Sequence, residues 1–282
     1  TGVLHHLVDP DAGLRALRSV LKLQGAMHLM VYAAYGRTGI DMLQAYAHKL
    51  GIIPSEHEIG DLIAVLKELP RGHPMDYLLR QSPDFHHPDA LADALLNPRA
   101  RAYNVQQVFE YLVRCKMIFG RWYRQAPYLP QCGILTRTPH AARLANLLPR
   151  EQYEAVELFR GTITSHSFTA YRDDYPGELP TVNFDGDAWQ AYVPIRQPNL
   201  VCVEERLPPG AAAVLINQDH VDTDLINSIN PFEKKLFDQI DGYSTLFDII
   251  KREIIPIESA RKFFERLWQY DQVVFDTSKN IT

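Results

Sequence analysis

Cysteine is scarce. Cys115, Cys132 and Cys202 are the three in 282 residues, far apart and without the paired spacing of a metal knuckle or a disulfide framework. That excludes a disulfide-stapled scaffold and fits reduced, buried thiols. No stretch approaches the roughly eighteen apolar residues of a membrane span. No signal-peptide pattern opens the chain, and there is neither a low-complexity tract nor an internal repeat. An excess of one charge is missing too: 29 Lys and Arg stand against 34 Asp and Glu, a net charge of −5. The two signs are interspersed, so no general attraction to nucleic acid or a membrane follows. A soluble, cytoplasmic protein with two or more domains is expected.

What is present is most informative in the first thirty-two residues. Thr1-Gly-Val-Leu-His-His-Leu-Val-Asp-Pro10 reads as the carboxyl end of a buried strand entering a loop. Asp9 or Asp11 caps a helix with Pro10 in its first turn. Leu14, Leu17, Val20 and Leu21 share one helical face. Lys22-Leu-Gln-Gly25 makes a turn, and Ala26-Met-His-Leu-Met-Val-Tyr32 is a mostly apolar strand. Strand, helix and strand imply a parallel pair with a helical crossover. With no initiator Met and no strands upstream to complete such a sheet, the chain is expected to be the carboxyl-terminal portion of a larger enzyme.

Gly2-Val-Leu-His-His-Leu-x-Asp-Pro10, then Gly13-Leu-x-x-Leu-x-x-Val-Leu-Lys22 and Gly25, resembles the second half of a class I S-adenosylmethionine-dependent methyltransferase. The usual Lys-Pro-Gly-Gly turn of that family is replaced here by Lys22-Leu23-Gln24-Gly25. The resemblance implies strands four and five of a doubly wound, Rossmann-like α/β sheet, with S-adenosyl-L-methionine as cofactor. It also implies that Thr1 lies beside the cofactor and that the backbone of Gly2 and Val3 approaches it. The family's glycine-rich loop and acidic ribose-binding strand end have no counterpart, so the chain alone is expected to bind the cofactor weakly or not at all.

Ala33-Ala-Tyr-Gly-Arg37 leaves the carboxyl end of the second strand, the side on which open α/β sheets bind ligands. Tyr35 and Arg37 are therefore substrate-facing candidates; Arg37 pairing with a surface carboxylate is the alternative. Helices are expected over 40–50 and 55–69, then a polar connection from Pro70 to Pro88. His86-His87 is not expected to hold a metal, because adjacent histidines point apart. Helix 105–115, a strand at Met117–Tyr123, a helical region to Phe159 and a strand at Thr162–Tyr171 follow. By the resemblance, the two strands are the antiparallel pair that closes the sheet. The catalytic part then spans 1–174, with a substrate-covering insertion at about 38–116.

In such enzymes the sulfonium is already activated, and rate comes from alignment. Oxygen or nitrogen nucleophiles can also require a base. The base candidates are His5, His6 and His166, with Tyr35, Tyr103 and Asp173 as positioning groups. A histidine following a buried strand can equally shape the loop, so His6 has both readings.

Residues 175–229 read as a β-rich linker with short runs near 189–195, 200–203 and 212–216. Residues 230–282 read as three helices and a wing strand at Gln272–Asp276, resembling a winged-helix domain. Its third helix carries Glu258, Arg261, Lys262, Glu265 and Arg266, too balanced for the basic stripe that phosphate neutralisation requires. Partner docking or homodimerisation is favoured there over DNA binding. The methyl acceptor, small molecule or protein, stays open; the other readings are a non-enzymatic binding protein and a DNA-binding regulator.

Overall fold

The computed structural model describes residues 2–81, 87–97 and 100–278. They fall into two compact units, residues 1–123 with 157–176, and residues 124–156 with 177–282. In chain order the first unit opens with α1 (Pro10–Val20), β1 (Ala26–Ala33), α2 (Thr38–Leu50), α3 (Glu56–Lys67), α4 (Pro74–Gln81) and α5 (Pro88–Leu96). It continues with β2 (Ala102–Tyr103), α6 (Val105–Arg114) and β3 (Met117–Trp122). After α7 (Ala141–Ala145) and α8 (Pro149–Arg160), it closes with β4 (Ser165–Arg172).

The start of α1 is fixed as its sequence suggests. The Asp9 carboxylate accepts the Ala12 N–H at 2.9 Å, and Pro10 fills the first helical position. β1 buries alternate residues, Leu29, Val31 and Ala33. They face the buried Phe168 and His166 of β4 in the pairs Leu29↔Phe168 and Val31↔His166. The sheet order is β2-β1-β4-β3. β4 is antiparallel to both neighbours, so β1 and β3 run the same way, with β2 parallel to β1 on its other side. This mixed sheet contains the expected antiparallel closing pair, β4 with β3.

Two expectations for the amino terminus are corrected. Residues 4–6 form a 3-10 turn, and among the described residues no strand precedes α1. Gly2 sits at φ 75°, a left-handed conformation that ends any extended run there. The parallel partner of β1 is accordingly β2, which follows it in sequence, and no strand–helix–strand crossover is formed through α1.

The connection expected between Pro70 and Pro88 contains α4, whose Met75 and Leu78 are buried with Ile40, Leu43, Leu62 and Leu91 in the core of α2–α5. α4 begins where the His73 ring nitrogen accepts the Met75 N–H at 3.1 Å. Helix α5 is likewise unforeseen.

The second unit adds β5 (Val193–Arg196), β6 (Leu200–Val203), β7 (Ala213–Asn217), β8 (Ile226–Ile229), α9 (Pro231–Asp238), α10 (Leu246–Glu253), α11 (Ile257–Gln269) and β9 (Val273–Asp276). Side-chain caps at Asn230 and Thr245 start α9 and α10, each as a reciprocal capping box. The segment read as a linker shares one core with the helices: Leu215 and Ile229 pack in a cluster with Leu236, Phe263, Phe264 and Leu267. The expected wing strand exists as β9, but it pairs antiparallel with β5 from earlier in the chain. The segment 175–229 and the helices after it thus lie in one of the two compact units, where they share that core. Among the described residues, no helix is long and apolar enough to cross a membrane.

Candidate functional site

β1 ends in Tyr32 and Ala33, and the chain then turns sharply through a 3-10 turn at Tyr35–Arg37. The turn is pinned from two sides, by Ala33 N–H to the Thr164 carbonyl at 3.0 Å and Ala34 N–H to the Tyr103 carbonyl at 2.9 Å. Only glycine fits at position 36, where a Cβ would stand 2.1 Å from the Ile163 carbonyl oxygen. This close approach folds Arg37 back over the strand end, its guanidinium carbon 3.5 Å from the centre of the Tyr32 ring.

Arg37 is 7 % exposed. Burial pulls its pKa down, against the opposing influence of Tyr32, Asp41 and Asp93. Among the described residues, no carboxylate lies within ion-pair distance of it. The surface ion pair considered for Arg37 is therefore not what the fold builds. Burial likewise raises the Tyr32 phenol and the Asp41 carboxyl.

The 3-10 turn at Leu4–His6 supplies the other side of the cluster. The fully buried His5 ring lies 3.9 Å from the Tyr32 ring centre and 4.1 Å from that of His6. Burial, reinforced by the neighbouring His6 and Arg37, holds the His5 pKa down at about 4, so the imidazole is neutral at pH 7. Among the described residues, neither ring nitrogen of His5 makes a hydrogen bond of ordinary geometry, although the nearby Met30 carbonyl favours its protonated form. His6 is half-buried, with its Nδ1 3.3 Å from the Asn97 amide nitrogen. That amide also donates to Asp93 at 3.2 Å.

The fold thus gathers His5, His6 and Arg37 around Tyr32 at the carboxyl end of β1. Of the cofactor-side residues, Gly2 and Val3 lead directly into the 3-10 turn, Val3 being exposed; Thr1 lies outside the described residues, as does His86. Tyr35 is part-exposed, its hydroxyl 3.4 Å from the Asn104 amide nitrogen.

His166 sits on the strand paired with β1, opposite Val31. It is fully buried on β4, with Nε2 2.9 Å from the Tyr103 carbonyl and 3.2 Å from the Glu157 carboxylate. Glu157 in turn accepts the Val105 N–H at 2.8 Å, so the pair ties β4, β2 and the start of α6 together. The Tyr103 ring stacks on Tyr111, and Asp173 pairs with Arg18. The residues missed from sequence are Tyr32, Asp93 and Asn97. Tyr32 was findable, because alternation puts it on the face opposite Leu29 and Val31 at the strand's ligand-side end. Asp93 and Asn97 depend on α5, which was not foreseen.

No family model matches the chain. It is similar to the uncharacterized protein syc1184_c of Synechococcus sp., 26 % identical over 183 residues that cover 62 % of this chain and 43 % of that protein. In solved structures, the fold is similar to PKMT2 from Rickettsia typhi at a TM-score of 0.65 and 12 % identity, covering 99 % of this chain and 57 % of that one. PKMT2 in complex with AdoHcy matches with a TM-score of 0.62, also at 12 % identity and over the same shares. The chain therefore spans about half the length of the proteins it matches. At this identity the likeness establishes the shared fold.

Proposed function

We propose that the protein takes part in methyl transfer from S-adenosylmethionine. One observation carries the reading: the antiparallel β4 between the codirectional β1 and β3, on a chain that shares its fold with a protein solved with AdoHcy. AdoHcy is what remains of S-adenosylmethionine once its methyl group has left. The cluster around Tyr32 lies at the carboxyl end of β1, where α/β sheets of this kind take their ligands.

Of the donor, the described residues fit one part. Gly2 and Val3 lead into the 3-10 turn that carries the buried His5, which suits the end near the reacting sulfur. Among the described residues there is no glycine-rich loop for the nucleoside end. The donor supplies an activated methyl group; the protein's part is to align the acceptor with it and exclude water. Within that scheme His6, half-buried and steered by Asn97, is the base that relieves a nitrogen or oxygen acceptor of its proton, and His166 holds β4 to β2. The acceptor is a small molecule or a protein side chain.

The winged-helix-like arrangement of α9–α11 and β9 serves partner docking or self-association in this reading. The cations of α11 are already engaged: Arg261 and Lys262 with Glu258, and Arg266 with Glu233. That leaves little for a phosphate backbone.

Calorimetry of the full-length protein with AdoHcy tests the reading. Saturable heat is expected. None up to about 1 mM ligand, where even about 4 kcal/mol of binding registers, would sink it.

A further inference from the structure

Two polar groups at the end of β1 have, among the described residues, no hydrogen bond or ion pair of ordinary geometry. The Arg37 guanidinium, 7 % exposed, rests on the Tyr32 ring with no ion pair among the described residues. Contact with a ring face returns only about 0.5–2 kcal/mol, whereas an unpaired buried charge is disfavoured by several. His5, on the same ring and 0 % exposed, has neither nitrogen in a hydrogen bond of ordinary geometry among the described residues. Buried donors and acceptors are nearly always satisfied, and each one that is not forfeits about 1–3 kcal/mol. Two such groups within 4 Å of one ring centre share an explanation: a ligand completes them.

We propose that Arg37, Tyr32 and His5 form a binding site for a carboxylic acid that carries a second hydrogen-bonding group, the carboxylate on Arg37 and the second group on His5. A planar guanidinium grips a planar carboxylate through two parallel hydrogen bonds. A neutral imidazole has one N–H to donate and one nitrogen to accept, so it suits a hydroxyl or amino group. The field also selects the charge of the ligand. One cation stands there, with Asp41 and Asp93 close enough to act on it, so a monoanion is accommodated better than a phosphate dianion. α-Hydroxy and α-amino acids have this chemistry. Within the methyl-transfer reading, on which this assignment to a substrate rests, two molecules bring it: the acceptor, or the amino-acid end of the donor itself.

The experiment titrates the full-length protein with lactate, inorganic phosphate, AdoHcy and 5′-methylthioadenosine, which lacks the amino-acid end. Affinities come from calorimetry and the His5 ring signals from proton NMR. In the unaltered protein, lactate or AdoHcy should bind saturably and raise the His5 titration midpoint from about 4, because an anion arrives beside it. Arg37→Gln should weaken that ligand by about tenfold or more, the worth of one charge-assisted hydrogen bond, and Arg37→Lys should recover part of the loss. A loss confined to lactate assigns the carboxylate to the acceptor. A loss for AdoHcy, with 5′-methylthioadenosine unchanged, assigns it to the donor.

The proposal is overturned if the unaltered protein shows no His5 response to lactate or AdoHcy. It is equally overturned if folded Arg37→Gln binds all four probes as before, or if phosphate binds best. Lactate binding at Arg37 without any AdoHcy binding would sink methyl transfer and leave the site standing. AdoHcy binding indifferent to Arg37, with no lactate binding, would do the reverse.

Discussion

Two groups of buried polar side chains, one in each unit, are held in different ways. In the second, Asn227 donates to the Gln272 side chain at 2.9 Å, Gln272 to the Leu215 carbonyl at 3.2 Å, and Asn217 to the Asp271 carbonyl at 2.6 Å. All of these polar side chains are buried, and each bond crosses between the β7–β8 pair and the turn leading into β9. They act as staples between elements distant in sequence, and nothing in their geometry asks for a ligand. In the first unit His166 and Glu157 likewise join distant elements, whereas His5 and Arg37 rest against the Tyr32 ring with no hydrogen bond or ion pair of ordinary geometry among the described residues. Burial alone therefore does not mark a site; two groups without partners converging on one ring make a candidate.

The contrast can be broken or sharpened experimentally. The largest effect is expected in the second unit, whose stability rests on apolar packing. Phe264→Ala removes a fully buried ring from the shared core and should lower the unfolding free energy by about 3–5 kcal/mol in urea titrations. A loss under 1 kcal/mol would mean that the strands and helices do not share that core.

Acid should next expose the unsatisfied histidine. A free histidine titrates near 6.5 and folded His5 near 4, so as pH falls through that window the unfolded chain takes up the proton first. Stability is then full above about pH 6.5 and declines toward pH 4, by at most about 3 kcal/mol from this group. Denaturation of the unaltered protein and of His5→Phe at pH 7 and pH 4.5 measures it. Equal acid losses in the two proteins would show that His5 is paired in solution, and the contrast between the units would fail.

A smaller effect is expected where a staple is cut. Asn227→Ala leaves the Gln272 oxygen buried without its donor, a loss of about 1–3 kcal/mol with no effect on ligand titrations in the first unit. A change in those titrations would contradict a purely structural role. Smallest is Thr245→Ala, which opens the capping box of α10 and should lower stability by about 1 kcal/mol. If Tm does not move, the cap is already replaced by solvent.

Legibility in the sequence followed local chemistry. α1, α2, α3 and α6 were readable because each is amphipathic and most carry a side-chain cap or a terminal glycine, such as Asp9, Ser55 and Gly51. β1, β3 and β4 were readable from alternation and β-branched or aromatic content. Helix α4 was not, because its cap is the ring nitrogen of His73, outside the usual Ser, Thr, Asp and Asn set, in a segment rich in Pro and His. The 3-10 turn of Leu4–His6 imitated a strand end because an apolar run this short fits either form, and Gly2 tipped it. In the candidate site, Arg37 and His6 were visible as residues leaving the ends of elements. Tyr32 as their common support, and the burial of His5, were not.

By itself, the sequence determined the helices with their caps, the apolar strands, the absence of a basic stripe and the resemblance carried by Gly2 to Gly25. Those features depend on neighbours a few residues apart, where propensity and periodicity act directly. The tertiary structure alone decided that β2 supplies the parallel partner of β1, that the short strands and helices of 177–278 close around one core, and that Arg37 and His5 meet on one ring. Each of these joins residues tens of positions apart, and their energy exists only once the chain has brought them together.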